Sequence, residues 1–152
     1  VRRVLSINMK KVLVFGVFDG LHEGHRAFLR QARTDADFTR NDAEEKIWLI
    51  AAVTRDEVVR QLKGRPSQKD QGLRIKELME IGLVDEVVEG DAELRSWEVI
   101  GKYAPDVIAL GYDQGALKSA LEEYIREKGL EIEVRVMKPY KSDKYHSSLL
   151  NK

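Results

Sequence analysis

The segment Lys11-Val12-Leu13-Val14-Phe15-Gly16-Val17 is apolar almost throughout, and apolar residues at helical spacing (Leu21, Phe28, Leu29, Ala32) follow it at once. A short strand with no polar alternation must be covered on both faces, which restricts the chain to sheets sandwiched between helices. The unit then recurs. Ile47 to Val53 reads as a second buried strand, and Asp56 is placed to cap a short helix through Leu62. Lys63-Gly64-Arg65-Pro66-Ser67 breaks the pattern, and a helix is expected over 70–81, stopping at Gly82. Val84 to Val88 is a short strand, and a helix over 93–103 ends before Pro105. Residues 106–110 form another buried strand, 115–128 a helix closed by Gly129, and 132–137 a last strand. Residues 34–45 are polar and aperiodic, an exposed loop or a frayed helix end.

The expected fold is therefore α/β: a single Rossmann-like, doubly wound, parallel five-stranded sheet with helices on both faces. The order 3-2-1-4-5 is taken, with the flavodoxin-like 2-1-3-4-5 as the alternative. Ligands of such sheets bind beyond the carboxyl ends of the strands where the order reverses. In the first order that point lies between strands one and four, which singles out residues 16–25 and 111–115 before any motif is consulted.

At 152 residues the chain suits one domain; residues 1–9 are set aside as an N-terminal extension and 10–152 taken as the domain. Its 26 basic and 26 acidic residues balance, so composition provides no footprint for nucleic acid or a membrane surface. The absence of cysteine removes disulfides, thiolate metal sites and cysteine nucleophiles. No apolar run is long enough to span a bilayer and no secretion signal is visible, so a cytoplasmic protein is expected.

The first switch-point loop reads Gly16-Val17-Phe18-Asp19-Gly20-Leu21-His22-Glu23-Gly24-His25. Gly16 and Gly20 permit a sharp turn and a close approach of backbone to a ligand. The helix that follows aims free N–H groups and the positive end of its dipole at that space. His22 and His25, three residues apart, fall on one side of the first turn and suit phosphate oxygens on which charge develops. There is no Gly-Lys-Ser/Thr for a P-loop, and glycines at 16, 20 and 24 do not make a dinucleotide fingerprint. A zinc helix needs its histidines four apart, not three. The remaining competitor is a packed core histidine at 25 on the face made by Leu21, Phe28 and Leu29.

GVFDGLHEGH resembles the signature of the cytidylyltransferase-like nucleotidyltransferase superfamily, a His-x-Gly-His turn after the first strand. The resemblance implies that His22 and His25 contact the triphosphate and stabilise the pentacoordinate α-phosphorus. It places the backbone of Val17 and Phe18 against the α-phosphate or the acceptor phosphate. Neither imidazole is then expected to carry the fold. PDVIALGYDQ, residues 105–114, is similar to the corresponding segment of archaeal FAD synthases, which are FMN adenylyltransferases. Gly111 would bring the nucleotide close to the backbone and Asp113 take a ribose hydroxyl or base amine, with Tyr112 a stacking platform or a packing residue. The same resemblance puts Lys63 over the phosphates, with Arg65 and Arg74 as weaker phosphate or acceptor contacts. It makes Ser147 and Ser148 ligands of the β- and γ-phosphates; His146 receives no role.

The reaction implied is transfer of an NMP unit from ATP or CTP to a phosphorylated small molecule, with pyrophosphate released. FMN adenylyltransferase is the first choice. A cytidylyltransferase acting on glycerol-3-phosphate or another polyol or sugar phosphate is the second, and a non-catalytic nucleotide sensor the alternative of another class. Mg²⁺ is expected to arrive with the nucleotide; Asp19 either holds one of its waters or caps the helix. Homodimers are common among such relatives, and the motifs themselves do not encode oligomeric state.

Overall fold

The computed structural model describes residues 9–34 and 46–139. Their elements run β1 (Met9–Gly16), α1 (Glu23–Thr34), β2 (Lys46–Val53), α2 (Asp56–Lys63), α3 (Gln71–Glu80), β3 (Glu86–Glu89), α4 (Glu98–Tyr103), β4 (Val107–Leu110), α5 (Gly115–Lys128) and β5 (Glu133–Val136). The five strands form one sheet in the order β3-β2-β1-β4-β5, every neighbouring pair parallel. The order and class expected from sequence are those observed, and the flavodoxin-like alternative is excluded. Met9 belongs to β1, pairing with Lys46, so the strand begins inside the segment set aside as an extension. Ser147, Ser148, His146 and the polar stretch 35–45 lie outside the described residues.

Alternate residues of the apolar strands feed two separate cores. Val12, Val14, Leu49, Ala51, Val107 and Ala109 meet Leu29 and Ala32 of α1 and Leu78 of α3 on one face. Leu13, Ile50, Ala52, Ile108 and Leu110 meet Val99 and Ile100 of α4 and Leu121 of α5 on the other. Two-faced burial is the physical reason these strands lack polar alternation. No helix among the described residues is long and apolar enough to cross a membrane.

Two local expectations are corrected. Asp56 does not cap α2; it is the first helical residue, and its carboxylate accepts from Arg74 and from the Gln71 N–H. The helix expected over 93–103 is only Glu98–Tyr103. Asp91 takes the N–H groups of Trp97 and Val99 at 3.0 and 2.8 Å, and Arg95 and Trp97 adopt left-handed backbone at φ 59° and 60°. That side-chain chemistry outcompetes the helical periodicity upstream of Glu98.

Candidate active site

A cavity of about 510 Å³ opens at the carboxyl ends of β1 and β4, where the strand order reverses. That size falls within the range of small-ligand sites. Its walls include Gly16, Val17, Phe18, Asp19, His22 and His25 from the first loop, Lys63 from the end of α2, and Gly111, Tyr112 and Asp113 from the second loop. The structure thus brings together residues that the sequence had placed in three separate segments.

The histidine turn is built by a reciprocal cap. His22 Nδ1 accepts from the Gly24 N–H at 3.0 Å, and His25 Nδ1 accepts from the His22 N–H at 3.2 Å. This is the logic of a capping box, with two imidazoles satisfying N–H groups at a helix start. The expectation that neither histidine serves the fold is therefore corrected: each contributes to starting α1. The same bonds fix the tautomers. With Nδ1 accepting from a backbone N–H on each ring, the proton of the neutral form resides on Nε2, so each of the two rings that line the cavity keeps one N–H donor. The rings lie 3.9 Å apart at 31°, so charging both is costly.

Burial, then the nearby charges of His22 and Lys63, lower the His25 pKa to about 4, against an opposing pull from Asp113. Above that pH His25 is a neutral donor. An unfolded histidine takes up its proton near pH 6.5, whereas folded His25 resists until about pH 4. Between those values the unfolded state binds more protons, so stability contributed here is fully present above pH 6.5 and falls as pH falls toward 4. Urea melts at pH 7.5 and 5.0 are expected to show a smaller loss of stability in His25→Gln than in the native protein. An equal loss in both would disconnect His25 from the effect.

Phe18 occupies the left-handed region at φ 53° and is buried, with its ring 5.6 Å from that of His25. A Cβ on Gly16 would sit 2.7 Å from the Phe18 ring. The packed Phe18 ring of its own turn thus favours glycine at 16, which also lines the cavity. Gly20, at φ 79°, is where the turn itself needs a glycine.

Asp19 does not cap α1; it lines the cavity with its carboxylate braced from the α3 side. Its two oxygens accept from the Gln68 and Lys69 N–H groups at 2.7 and 3.0 Å. Burial works to raise its pKa, but these bonds, with Arg74 and Lys63 nearby, hold it below the usual carboxylate value. Arg74 is also reassigned. It is 0% exposed, and its guanidinium donates to the carbonyls of Lys69, Val17 and Thr54 and to the Asp56 carboxylate at 2.7–2.9 Å. A buried fork with those four acceptors cannot reach a substrate phosphate; it fixes the turn that would bind one. Arg65 is exposed and absent from the cavity wall, whereas Lys63 is exposed and lines it.

Gly111 is closed in by its own loop: an added Cβ would meet Asp113 Oδ1 at 3.1 Å and Gln114 Oε1 at 3.6 Å. Gln114, given no role of its own from sequence, accepts from the Gly111 N–H at 2.7 Å and donates to the Phe15 carbonyl at 3.3 Å. It stitches the ends of β4 and β1 together at the switch point. Lys138 and Pro139 also line the cavity and were not singled out. Their position just past β5 was the available signal, since every parallel strand ends at this rim. Gln31 of α1 holds the Lys138 backbone through both its N–H, at 2.8 Å, and its carbonyl, at 3.3 Å.

No group of three or more His, Cys, Asp or Glu side chains among the described residues could hold a metal. Asp19 and Asp113 are the carboxylates on the cavity wall, and each Asp19 oxygen that accepts one backbone N–H keeps a further lone pair. Such a donor set fits a hard cation held chiefly by phosphate oxygens and water.

A family profile described as Cytidylyltransferase-like matches residues 13–152. The FAD synthase of Pyrococcus abyssi (strain GE5 / Orsay) is 41% identical over 143 residues, spanning 93% of this chain and 90% of its own. That of Thermococcus sibiricus (strain DSM 12597 / MM 739) is 38% identical over 134 residues, spanning 88% and 84%. Among solved structures, the lipopolysaccharide core biosynthesis protein from Thermoplasma volcanium GSS1 superposes with a TM-score of 0.73 at 26% identity, covering 87% of this chain and 98% of that one.

Proposed function

Because the chain belongs to the cytidylyltransferase-like family of nucleotidyltransferases, we propose that it is an FMN adenylyltransferase, joining AMP from ATP to the FMN phosphate and releasing pyrophosphate. The observation that carries this reading is the pair of imidazole rings, 3.9 Å apart on the wall of the switch-point cavity, each with its Nδ1 held by a backbone N–H. In the reaction an FMN phosphate oxygen attacks the α-phosphorus of ATP. The bond from that phosphorus to the β-bridging oxygen breaks, and pyrophosphate carries the electron pair away. His22 and His25 donate to the oxygens that gain charge, and the exposed ammonium of Lys63 supports the departing phosphates. Catalysis rests on positioning and charge stabilisation, with no covalent enzyme intermediate. Mg²⁺ carried in with the nucleotide would supply charge neutralisation at the triphosphate, with Asp19 and Asp113 as the wall carboxylates that would meet its water shell or the ribose.

The likeness to archaeal FAD synthases supports ATP and FMN as the pair. The test is a matrix of pyrophosphate release with ATP or CTP against FMN, glycerol-3-phosphate and other polyol and sugar phosphates. ATP with FMN is expected to give the highest kcat/KM. A preference for CTP with a polyol phosphate would reassign the protein as a cytidylyltransferase, and nucleotide binding without turnover on any acceptor would make it a sensor.

The second loop gives a separate expected outcome. Asp113→Ala should raise the KM for ATP roughly ten- to a hundredfold, about 1.5–3 kcal/mol for a lost hydrogen bond to a charged group. Gly111→Val should act in the same direction by displacing the Asp113 carboxylate and breaking the Gln114 bridge. Steady-state kinetics with ATP varied checks both, and unchanged KM in the two variants would remove this loop from the nucleotide site.

A further inference from the structure

A second cavity, of about 300 Å³, lies on the other side of the β1 end and shares Phe15, Gly16, Val17, Asp113 and Gln114 with the first. Its character differs. Val58, Leu62, Leu94, Trp97 and Leu117 dominate its walls, whereas the first cavity presents histidines and lysines. Leu62 and Leu94 are 50% and 43% exposed, so apolar surface is left uncovered there. Scattered exposed leucines are ordinary, but two lining one apolar cavity mark a place where something apolar binds.

Trp97 is tightly constrained in that wall. Its backbone is left-handed at φ 60° and ψ 25°, a conformation a bulky residue adopts only when its surroundings enforce it. Asp91 enforces it by accepting the Trp97 N–H at 3.0 Å and the Val99 N–H at 2.8 Å. The indole is then clamped, stacked on Tyr124 at 5.5 Å and 29° and edge-on to Phe15 at 6.4 Å and 75°. A strained backbone that holds an aromatic ring rigid beside an open apolar cavity is a preorganised platform for a flat partner.

We propose that this second cavity is the acceptor subsite and Trp97 its specificity-determining wall, taking a planar, fused aromatic ring whose phosphate-bearing chain runs over Gly16 and Val17 into the histidine cavity. The assignment rests on the FMN adenylyltransferase reading, which supplies the isoalloxazine as that ring. The shared wall explains how the two substrates meet. The triphosphate occupies the polar cavity and the flavin the apolar one. The flavin phosphate reaches the α-phosphorus across the rim made by Gly16, Val17 and Gln114.

The test separates binding from turnover. FMN and riboflavin binding are followed by flavin fluorescence, and ATP binding by calorimetry, in the native protein, Trp97→Leu and Leu94→Asp. Trp97→Leu is expected to weaken FMN and riboflavin binding tenfold or more while ATP affinity stays within about twofold. Leu94→Asp, at an exposed position that does not endanger folding, should also weaken flavin binding severalfold, and it decides the matter if Trp97→Leu does not fold. Flavin affinity that is unchanged in the variants, or ATP affinity that falls in parallel, overturns the subsite. Turnover is scored separately on the native protein. Failure to adenylylate FMN despite Trp97-dependent flavin binding overturns the reaction and leaves the subsite standing. Normal FAD synthesis with native FMN KM in the folded variants overturns the subsite and leaves the reaction.

Discussion

Replacing His25 by alanine should lower kcat about 10²–10³-fold, or roughly 3–4 kcal/mol of transition-state stabilisation. The KM for ATP should change far less, because the imidazole donor matters most when charge moves onto the phosphate oxygens. Loss of the helix-start bond adds a smaller, separate effect of about 1 kcal/mol on stability. His22→Ala should behave likewise, since His22 Nδ1 satisfies the Gly24 N–H. Kinetics and thermal melts on the same preparations distinguish the two contributions. A folded His25→Ala protein with native turnover would take the imidazole out of the chemistry, and one that does not fold would make the pair a structural device.

The largest effect on stability is expected at Arg74. Arg74→Met keeps much of the buried volume but removes every donor, orphaning the Val17 and Thr54 carbonyls, whereas the Lys69 carbonyl keeps the Ser67 hydroxyl at 2.6 Å. Each unmet buried acceptor costs about 1–3 kcal/mol, so the two carbonyls together are expected to cost about 2–6 kcal/mol, a large part of a typical domain's stability. Its partner Asp56 is 46% exposed and can turn to water, so the loss comes mainly from the carbonyls. The turn bearing Val17 and Phe18 loses an anchor at the same time, and kcat should fall even where the protein remains folded. Urea denaturation measures the first effect. A change below about 1 kcal/mol would show that the network is not holding the turn.

The sheet was legible because its strands are buried on both faces. Runs such as Leu49 to Val53 have no polar alternation to confuse with a surface strand, and their spacing by helices admits few topologies. The histidine turn was legible because its residues are contiguous and follow a strand. What escaped was long-range. Arg74 on α3 bonds to Val17, 57 residues away, and a charged residue on a helix reads as surface when only its neighbours are visible. Asp19 reaches Gln68 across 49 residues for the same reason. Gln114 joins β4 to β1 through side-chain amide geometry that no periodicity encodes. Lys138 is different: it lies just past β5 on the same rim, where the rule that ligands lie beyond strand ends already points. The shortened α4 shows local chemistry overriding pattern, with Asp91 capturing N–H groups that a longer helix would have used.

The central claim is that the histidine turn promotes direct transfer at the α-phosphorus of ATP. Its most direct test is a single-turnover experiment with enzyme in excess, Mg²⁺, FMN and ATP labelled in the α-phosphate. The label is expected to pass into FAD in one phase, matched mole for mole by pyrophosphate, with no label retained on denatured protein. Label recovered on the protein, or ADP and inorganic phosphate in place of FAD and pyrophosphate, would contradict it.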